Sequence, residues 1–369
     1  MDKMVTNNLF NGIYTGKRVF ITGHTGFKGS WLALWLVQMG AIVKGYSLEP
    51  NTSPSHWELL NLDIESVYAD IRNKSTLERE LINFNPDIVF HLAAQPLVRQ
   101  SYKTPYETFE TNVMGTMALY EACRKTNSIK AIITISTDKC YENKEWLWGY
   151  RENDILGGYD PYSSSKACAE LMTSSYRRSF FNINEYGKTH NVLVATVRAG
   201  NVIGGGDWAE DRLIPDIMKA AAKGDSVFIR NPHATRPWQH VLEPLSGYLL
   251  LGQHLLNEEK SFAEAWNFGP DENSNSSVKD VAFYLMKEWN SIKTEFDQGS
   301  SDFHEATLLM LDCSKARKLL RWEAVWKNQV FSKTAEWYKE YYTNSNLLSL
   351  EQLNEYISDA KKCNSIWTY

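Results

Sequence analysis

Arg18-Val-Phe-Ile-Thr22-Gly23-His-Thr-Gly26-Phe-Lys28-Gly29 joins a β-branched, apolar run directly to three spaced glycines, and Ser30 to Met39 continues as an almost uniformly apolar segment. The pattern reads as a buried strand, a tight turn and a helix. Glycines in such a turn let the chain bend sharply, let backbone approach a ligand, and let the helix lie close on the sheet. The helix then presents free N–H groups and the positive end of its dipole to whatever sits before it, which suits a diphosphate. Three glycines alone are a weak signal, and an ordinary glycine-rich turn is the bland alternative. Their position at the first strand–helix junction is what gives them weight. Gly23, Thr25, Gly26, Phe27, Lys28 and Gly29 are therefore the expected cradle of a dinucleotide.

Outward from this junction the first two hundred residues keep the same alternation. Ala41 to Tyr46, Ser66 to Ala69, Asp87 to His91, Ala131 to Ile135 and Val192 to Val197 read as further strands, with helical stretches between them. Continuous apolar strands separated by helices imply a parallel sheet covered on both faces, a doubly wound α/β (Rossmann) fold. After about Gly200 the alternation fades. Gly204-Gly-Gly206 marks a loop, Arg212 to Lys223 and Ser277 to Trp289 read as helices, and the C-terminal segment has more helical than strand character. The expected division is a dinucleotide-binding domain over residues 14–200 plus about 238–270, and a smaller substrate domain over about 201–237 plus 271–369.

Composition narrows the class. The chain has 369 residues, 43% apolar and 22% charged, with a net charge of −5 and no long basic run. That argues against an electrostatically driven nucleic-acid binder. Five scattered cysteines, Cys123, Cys140, Cys168, Cys313 and Cys363, show neither a C-x-x-C pair nor metal spacing. Reduced thiols and no bound metal are the natural reading. The start lacks the pattern of a signal peptide, and the most apolar stretch, Trp31 to Val43, is broken by Gln38 and Gly40 and is too short to span a bilayer. A cytoplasmic protein with no membrane partner is expected.

The second strand gives no clear acid for the ribose hydroxyls: Glu49 lies at about the right distance but in a Glu-Pro turn. No arginine lies between Gly40 and Ile71, and Lys44 is the only permanent positive charge there, which favours NAD over NADP. Asp70, after the third strand, is placed either to accept from an adenine amino group or to cap the following helix. Further on, Tyr162-Ser-Ser-Ser-Lys166 sets a phenol and an ammonium four residues apart on one helix face. A nearby cation lowers a phenol's pKa from about 10 and turns it into a usable base. Chance occurrences of Y-x-x-x-K are common. A preceding strand that ends in Ile135-Ser136-Thr137, whose hydroxyls can hold a substrate oxygen, makes this one specific.

The set T-G-x-x-G-x-x-G, His91-Leu-Ala-Ala94, Asn112-Val-Met-Gly115-Thr116 and Tyr162-x-x-x-Lys166 resembles the extended short-chain dehydrogenase/reductases. Arg198-Ala-Gly-Asn201-Val-Ile-Gly204 and Leu311-Asp312-x-Ser-Lys-Ala-Arg317…Trp322 are similar to that family's later motifs, so the resemblance covers nearly the whole chain. Within the family the chain is most similar to the nucleotide-sugar 4,6-dehydratases. The narrower resemblance rests on Ser136-Thr137-Asp138-Lys139-Cys140-Tyr141 and on Thr235-Arg236-Pro237-Trp238-Gln-His240. The dTDP-glucose and GDP-mannose enzymes have glutamate where this chain has Lys139, and the branch acting on CDP-glucose has lysine. Epimerases of the family lack such a pair.

The resemblance implies NAD as cofactor, with Ile71, Leu92, Ala93 and Ala94 beside it as well as the glycine cradle and Asp70. It implies that Tyr162, assisted by Lys166, takes the C4 hydroxyl proton while hydride leaves C4, with Thr137 bonded to the C4 oxygen. The 4-keto group acidifies C5–H, Asp138 protonates the departing C6 hydroxyl, and Lys139 acts at C5. Lysine is a difficult base: at its reference pKa about one amine in a thousand is neutral at pH 7. Lys139 therefore either has a lowered pKa or stays charged and steadies the enolate while another group or a water takes the proton. Gln95, Arg99, Asn201 and Arg236 are the expected nucleotide-sugar contacts, each with a surface or domain-interface alternative. The resemblance further implies a homodimer or homotetramer through the helices of Asn112–Cys123 and Tyr162–Phe181, and a role in deoxy-sugar supply for a bacterial surface polysaccharide. A dehydratase or epimerase of another nucleotide sugar, and a non-catalytic NAD sensor, are the rival readings.

Overall fold

A computed structural model describes residues 8–229, 231–270, 276–296 and 308–369. Residues 271–275 and 297–307 of the expected substrate domain therefore lie outside the described residues. β1 (Arg18–Thr22), β2 (Ile42–Ser47), β3 (Glu65–Tyr68), β4 (Ile88–His91), β5 (Ala131–Ile135) and β6 (Leu193–Ala199) join a seventh strand, Ala265–Phe268, in one sheet. From one edge the order is Ala265–Phe268, β6, β5, β4, β1, β2, β3. Every pairing in it is parallel. The seventh strand is a departure from expectation, since the alternation was read as fading after Gly200. The run Ala265-Trp-Asn-Phe268 is short and stands far along the chain from its partner β6.

Alternate residues of the strands feed two cores, as the pleat requires. Val19, Ile21, Phe90, Ile133, Ala195 and Val197 face one side, and Phe20, Val89, Ile132 and Val194 face the other. This two-sided burial is why the strands read as unbroken apolar runs. The Phe27–Gln38 helix is apolar nearly all round for the same reason. Gly29 to Leu36 are all buried, with Trp35 edge-on to Trp367 and Tyr356 from the C-terminal segment. Trp31 donates its indole N–H to Gly205 O at 2.9 Å, so the helix also anchors the loop beyond β6.

The topology fixes where ligands go. β1 lies between β2 and β4, so the strand order reverses there and opens a crevice at the C-terminal strand ends. A second lobe closes over that crevice. It holds the Leu213–Lys223 and Val278–Glu288 helices and the ladder of Ser226–Ile229 with Lys293–Phe296.

Candidate active site

The cofactor, proton-transfer and nucleotide-sugar residues expected from the sequence all line one cleft of about 1120 Å³ at these strand ends. At its phosphate end the walls are backbone. Gly23 has φ +77°, and a Cβ there would lie 2.7 Å from Ala93 N. A Cβ on Gly29 would collide with the carbonyl oxygen of Gly23. At Gly26 a Cβ would meet only Gly23 O, at 3.4 Å, so this glycine's face is open. The Phe27–Gln38 helix starts with no side-chain cap, leaving its first N–H groups for an anion. An uncapped helix behind a cradle without side chains fits the diphosphate of a dinucleotide. Thr25 ties this turn to the end of β2, through Ser47 Oγ at 2.8 Å and as donor to Leu48 O at 3.0 Å. Ala93 N–H donates to Thr22 Oγ1 at 3.2 Å, which holds Leu92 to Ala94 beside the cradle.

Asp70 and Ile71 line the same end, and here one alternative is removed. The following helix is capped by Asn73, which accepts from Thr76 N at 3.2 Å, and not by Asp70. Asp70 instead binds the Arg72 guanidinium, with Oδ2 accepting from Nη2 at 2.6 Å, and that contact holds its carboxyl below the usual range. Arg72 also donates to Glu110 at 2.6 Å, so its charge is met by two carboxylates. Lys44 is buried against Glu65 and Glu80 and does not reach the cleft. Glu49 is exposed beyond the last residue of β2, though still on the cleft wall.

The opposite end is built from buried side chains. Asp160 caps the Pro161–Ser179 helix by accepting from Ser163 N at 2.9 Å, with Pro161 in the first turn, and this start sets Tyr162 and Lys166 facing the cleft. Burial pushes the Tyr162 phenol up to about 12, opposed by the Thr137 hydroxyl and the Arg212 charge. Burial brings the Lys166 ammonium down to about 8. The phenol is thus raised where the sequence reading expects it lowered. Lys166 Nζ donates to Ile135 O at 2.8 Å, and the Arg212 charge acts to lower the phenol against burial.

Thr137 donates to Asp138 Oδ1 at 3.0 Å and accepts from Lys139 N at 3.3 Å. Asp138 is 2% exposed, and its Oδ2 has no hydrogen-bond partner among the described residues. Burial raises its pKa above the usual carboxylate range, against the charges of Lys139, Arg236 and Lys28. A carboxyl in that state is suited to donate a proton. Lys139 is half-buried beside it on the cleft wall. Lys28, across the cleft at the start of its helix, is brought down to about 8 by burial and by the Arg212 charge.

The expected sugar-side contacts differ among themselves. Gln95 spends its amide on its own loop, donating to Leu97 O at 3.1 Å and Thr108 Oγ1 at 2.9 Å and accepting from Leu97 N at 2.6 Å. Its role there is to shape the wall. Arg99 pairs with Asp211 at 3.1 Å, and Arg236 donates to Thr235 O at 2.8 Å while its charge acts on Asp138. Asn201 lines the cleft and accepts from Gln239 N through its carbonyl at 3.0 Å. Sequence reasoning missed the Asp207–Arg212 pair, 2.7 Å apart on the cleft wall. Its sole signal was two opposite charges flanking the turn after Gly204-Gly-Gly206. Among the described residues no cluster of His, Cys, Asp and Glu could hold a metal ion, and no helix is long and apolar enough to cross a membrane.

The chain belongs to the family described as GDP-mannose 4,6 dehydratase, whose model matches residues 20–333. It is 50% identical over 350 residues to a CDP-glucose 4,6-dehydratase of Salmonella typhimurium, covering 94% of this chain and 97% of that one. It is 34% identical over 328 residues to a CDP-paratose 2-epimerase of Salmonella typhi, covering 83% and 94%. Among solved structures, a dTDP-glucose 4,6-dehydratase from Streptomyces venezuelae with NAD bound superposes with a TM-score of 0.72 at 22% identity, over 88% of this chain and 97% of that one.

Proposed function

We propose that this chain converts CDP-glucose to CDP-4-keto-6-deoxyglucose and water, as an NAD-dependent hydro-lyase. What carries the reading is the buried Asp138 carboxyl, unpartnered at Oδ2, beside Lys139 and in one cleft with Tyr162. A plain dehydrogenase or 4-epimerase has no use for that second proton-transfer pair. The 50% identity to the Salmonella dehydratase supports the CDP-glucose substrate.

The glycine cradle and the walls at Asp70, Ile71 and Leu92–Ala94 would hold NAD, which would supply an acceptor for the C4 hydride and the source of the hydride at C6. The chain's own groups do the rest. Tyr162, as the phenolate that the Thr137 hydroxyl and the Arg212 charge favour against burial, removes the proton from the C4 hydroxyl, whose oxygen lies against Thr137. With C4 a ketone, the C5 proton becomes acidic. Lys139 either takes it as the free amine or, charged, steadies the enolate while another group or a water takes the proton. Asp138 gives its proton to the C6 hydroxyl as that group leaves. Arg236 and Asn201 hold the diphosphate side, with Arg99 and Gln95 on the neighbouring wall. The two-domain division given above is proposed on the same basis, with the cofactor on the seven-stranded part and the nucleotide sugar under the second lobe.

We also propose a cytoplasmic homodimer or homotetramer that supplies a deoxy-sugar for surface polysaccharide. Met114 (52% exposed) and Leu171 (57% exposed), on the two helices named above, support such a contact. The test of function is product analysis on CDP-, dTDP-, GDP- and UDP-hexoses. A 4-keto-6-deoxy product from CDP-glucose without net NADH is expected. A product that keeps its C6 hydroxyl and differs only in configuration would favour the epimerase reading.

A further inference from the structure

Glu170 and Arg198 form an ion pair with both side chains 3% exposed, and no proton-transfer step above uses it. Arg198 Nε donates to Glu170 Oε1 and Nη2 to Oε2, both at 2.9 Å, and Thr196 Oγ1 donates to Oε2 at 2.8 Å. A pair this deeply buried gives up its hydration and is weak support for stability in itself, so what it positions is the better question.

Its free edge points at the catalytic loop. Arg198 Nη1 donates to Tyr141 OH at 2.7 Å and to Glu152 O at 3.0 Å. Tyr141 OH donates in turn to Asn267 Oδ1 at 2.7 Å. Asn267 sits on the seventh strand and is itself held, donating through Nδ2 to Tyr150 O at 2.8 Å and to Asp312 O at 3.2 Å. The Tyr141 ring has the Arg198 guanidinium 4.9 Å from its centroid and the nearly parallel Tyr150 ring 5.2 Å away. The residue is therefore fixed both through its hydroxyl and through its ring.

Tyr141 ends the single helical turn Asp138–Cys140. The other end of that loop leaves β5, where Ile135 O accepts from Lys166. Lys166 and Glu170 are one helical turn apart on the helix that also bears Tyr162. One helix thus holds both ends of the loop, directly at Ile135 and through Arg198 at Tyr141.

We propose that Tyr141 is a positioning residue for the elimination step: through Arg198 and Glu170 its hydroxyl registers Asp138 and Lys139 against the helix that carries Tyr162. The proposal rests on the dehydratase reading. Small displacements of reacting groups cost far more in rate than in binding, so the hydroxyl should matter for water loss and little for affinity.

Tyr141→Phe keeps the ring and its stacking and removes only the hydroxyl. With CDP-glucose, kcat is expected to fall by about tenfold to a hundredfold with KM within about twofold. C4 oxidation should continue, so NADH absorbance builds up that the unsubstituted enzyme does not show. An unchanged kcat, or equal loss of oxidation and of water loss, would overturn the proposal. A second measurement needs no substrate. Amide hydrogen exchange across 138–141 should speed up about tenfold or more in the variant while β6 keeps its protection. Unchanged exchange at 138–141 would overturn the proposal even if the unsubstituted protein proved inactive on CDP-glucose, an outcome that on its own would count against the dehydratase reading.

Discussion

The two ends of the cleft are built from different materials. The phosphate end is backbone: two glycines that admit no Cβ, a third whose face is open, and an uncapped helix start. The elimination end is side chain: Asp138, Lys166, Glu170 and Arg198, each less than a tenth exposed, held by hydrogen bonds from several segments. A backbone site draws its field from fixed dipoles and carries no titrating group. A side-chain site gains tunable proton affinities, at the cost of removing charges from water.

The contrast can be broken most forcefully at the elimination end. Lys139→Met and Asp138→Asn should each lower turnover by about 10²–10⁴-fold. NAD should stay bound and C4 oxidation should remain detectable in Lys139→Met. Normal dehydration by that variant would remove Lys139 from the chemistry. The phosphate end should respond in the opposite sense. Gly29→Ala drives a methyl into the Gly23 carbonyl, and overpacking of about 1–3 kcal/mol translates to roughly ten- to hundredfold weaker NAD binding. Titration of NAD by calorimetry checks this, and wild-type affinity in Gly29→Ala would show that the turn is not the cradle.

The smallest effect is on stability. Lys166 is brought down to about 8 in the folded chain, against an ordinary value of 10.5. Below about pH 8 it is charged in both folded and unfolded states. Between about 8 and 10.5 the unfolded chain keeps a proton that the folded chain has lost, so stability rises with pH, by at most about 1.4 kcal/mol per unit for one such group. Lys28, also brought down to about 8, adds to the same slope. The buried cysteines and tyrosines, raised by burial, act in the opposite sense as pH passes about 9, so Lys166→Met is expected to make the slope of stability against pH in urea melts between pH 8 and 10.5 less positive than in the unsubstituted protein. An unchanged slope would mean that the ammonium is not desolvated.

The same contrast explains what the sequence discloses. β1, β4, β5 and β6 are legible because burial on both faces leaves mainly apolar runs such as Ala131-Ile-Ile-Thr-Ile135, whereas β2 and the edge strand β3 show weaker patterns. The seventh pairs with β6 from far along the chain, and no local pattern marks it. The cradle is legible because a backbone site needs glycine at set spacings. Tyr162 and Lys166 are legible as a helical pair, whereas Asp138 and Lys139 draw their meaning from resemblance. Glu170 has no local signal, Arg212 only the opposite charge of nearby Asp207, and Tyr141 only its place in the Ser136–Tyr141 stretch, since a charged or phenolic side chain acquires its role only from neighbours brought together by folding. For the same reason the helical spacing of Tyr162 and Lys166 does not disclose that Lys166 also binds the Ile135 carbonyl.

The central claim is that electrons borrowed from one sugar carbon are handed back to another within a single turnover. CDP-glucose carrying deuterium at C4, incubated with the protein and NAD, tests it directly when the product is read by NMR and mass spectrometry. Deuterium at C6 of a 4-keto-6-deoxy sugar is the predicted result. A 4-keto-6-deoxy product with no deuterium at C6, or label that never leaves C4, would contradict it.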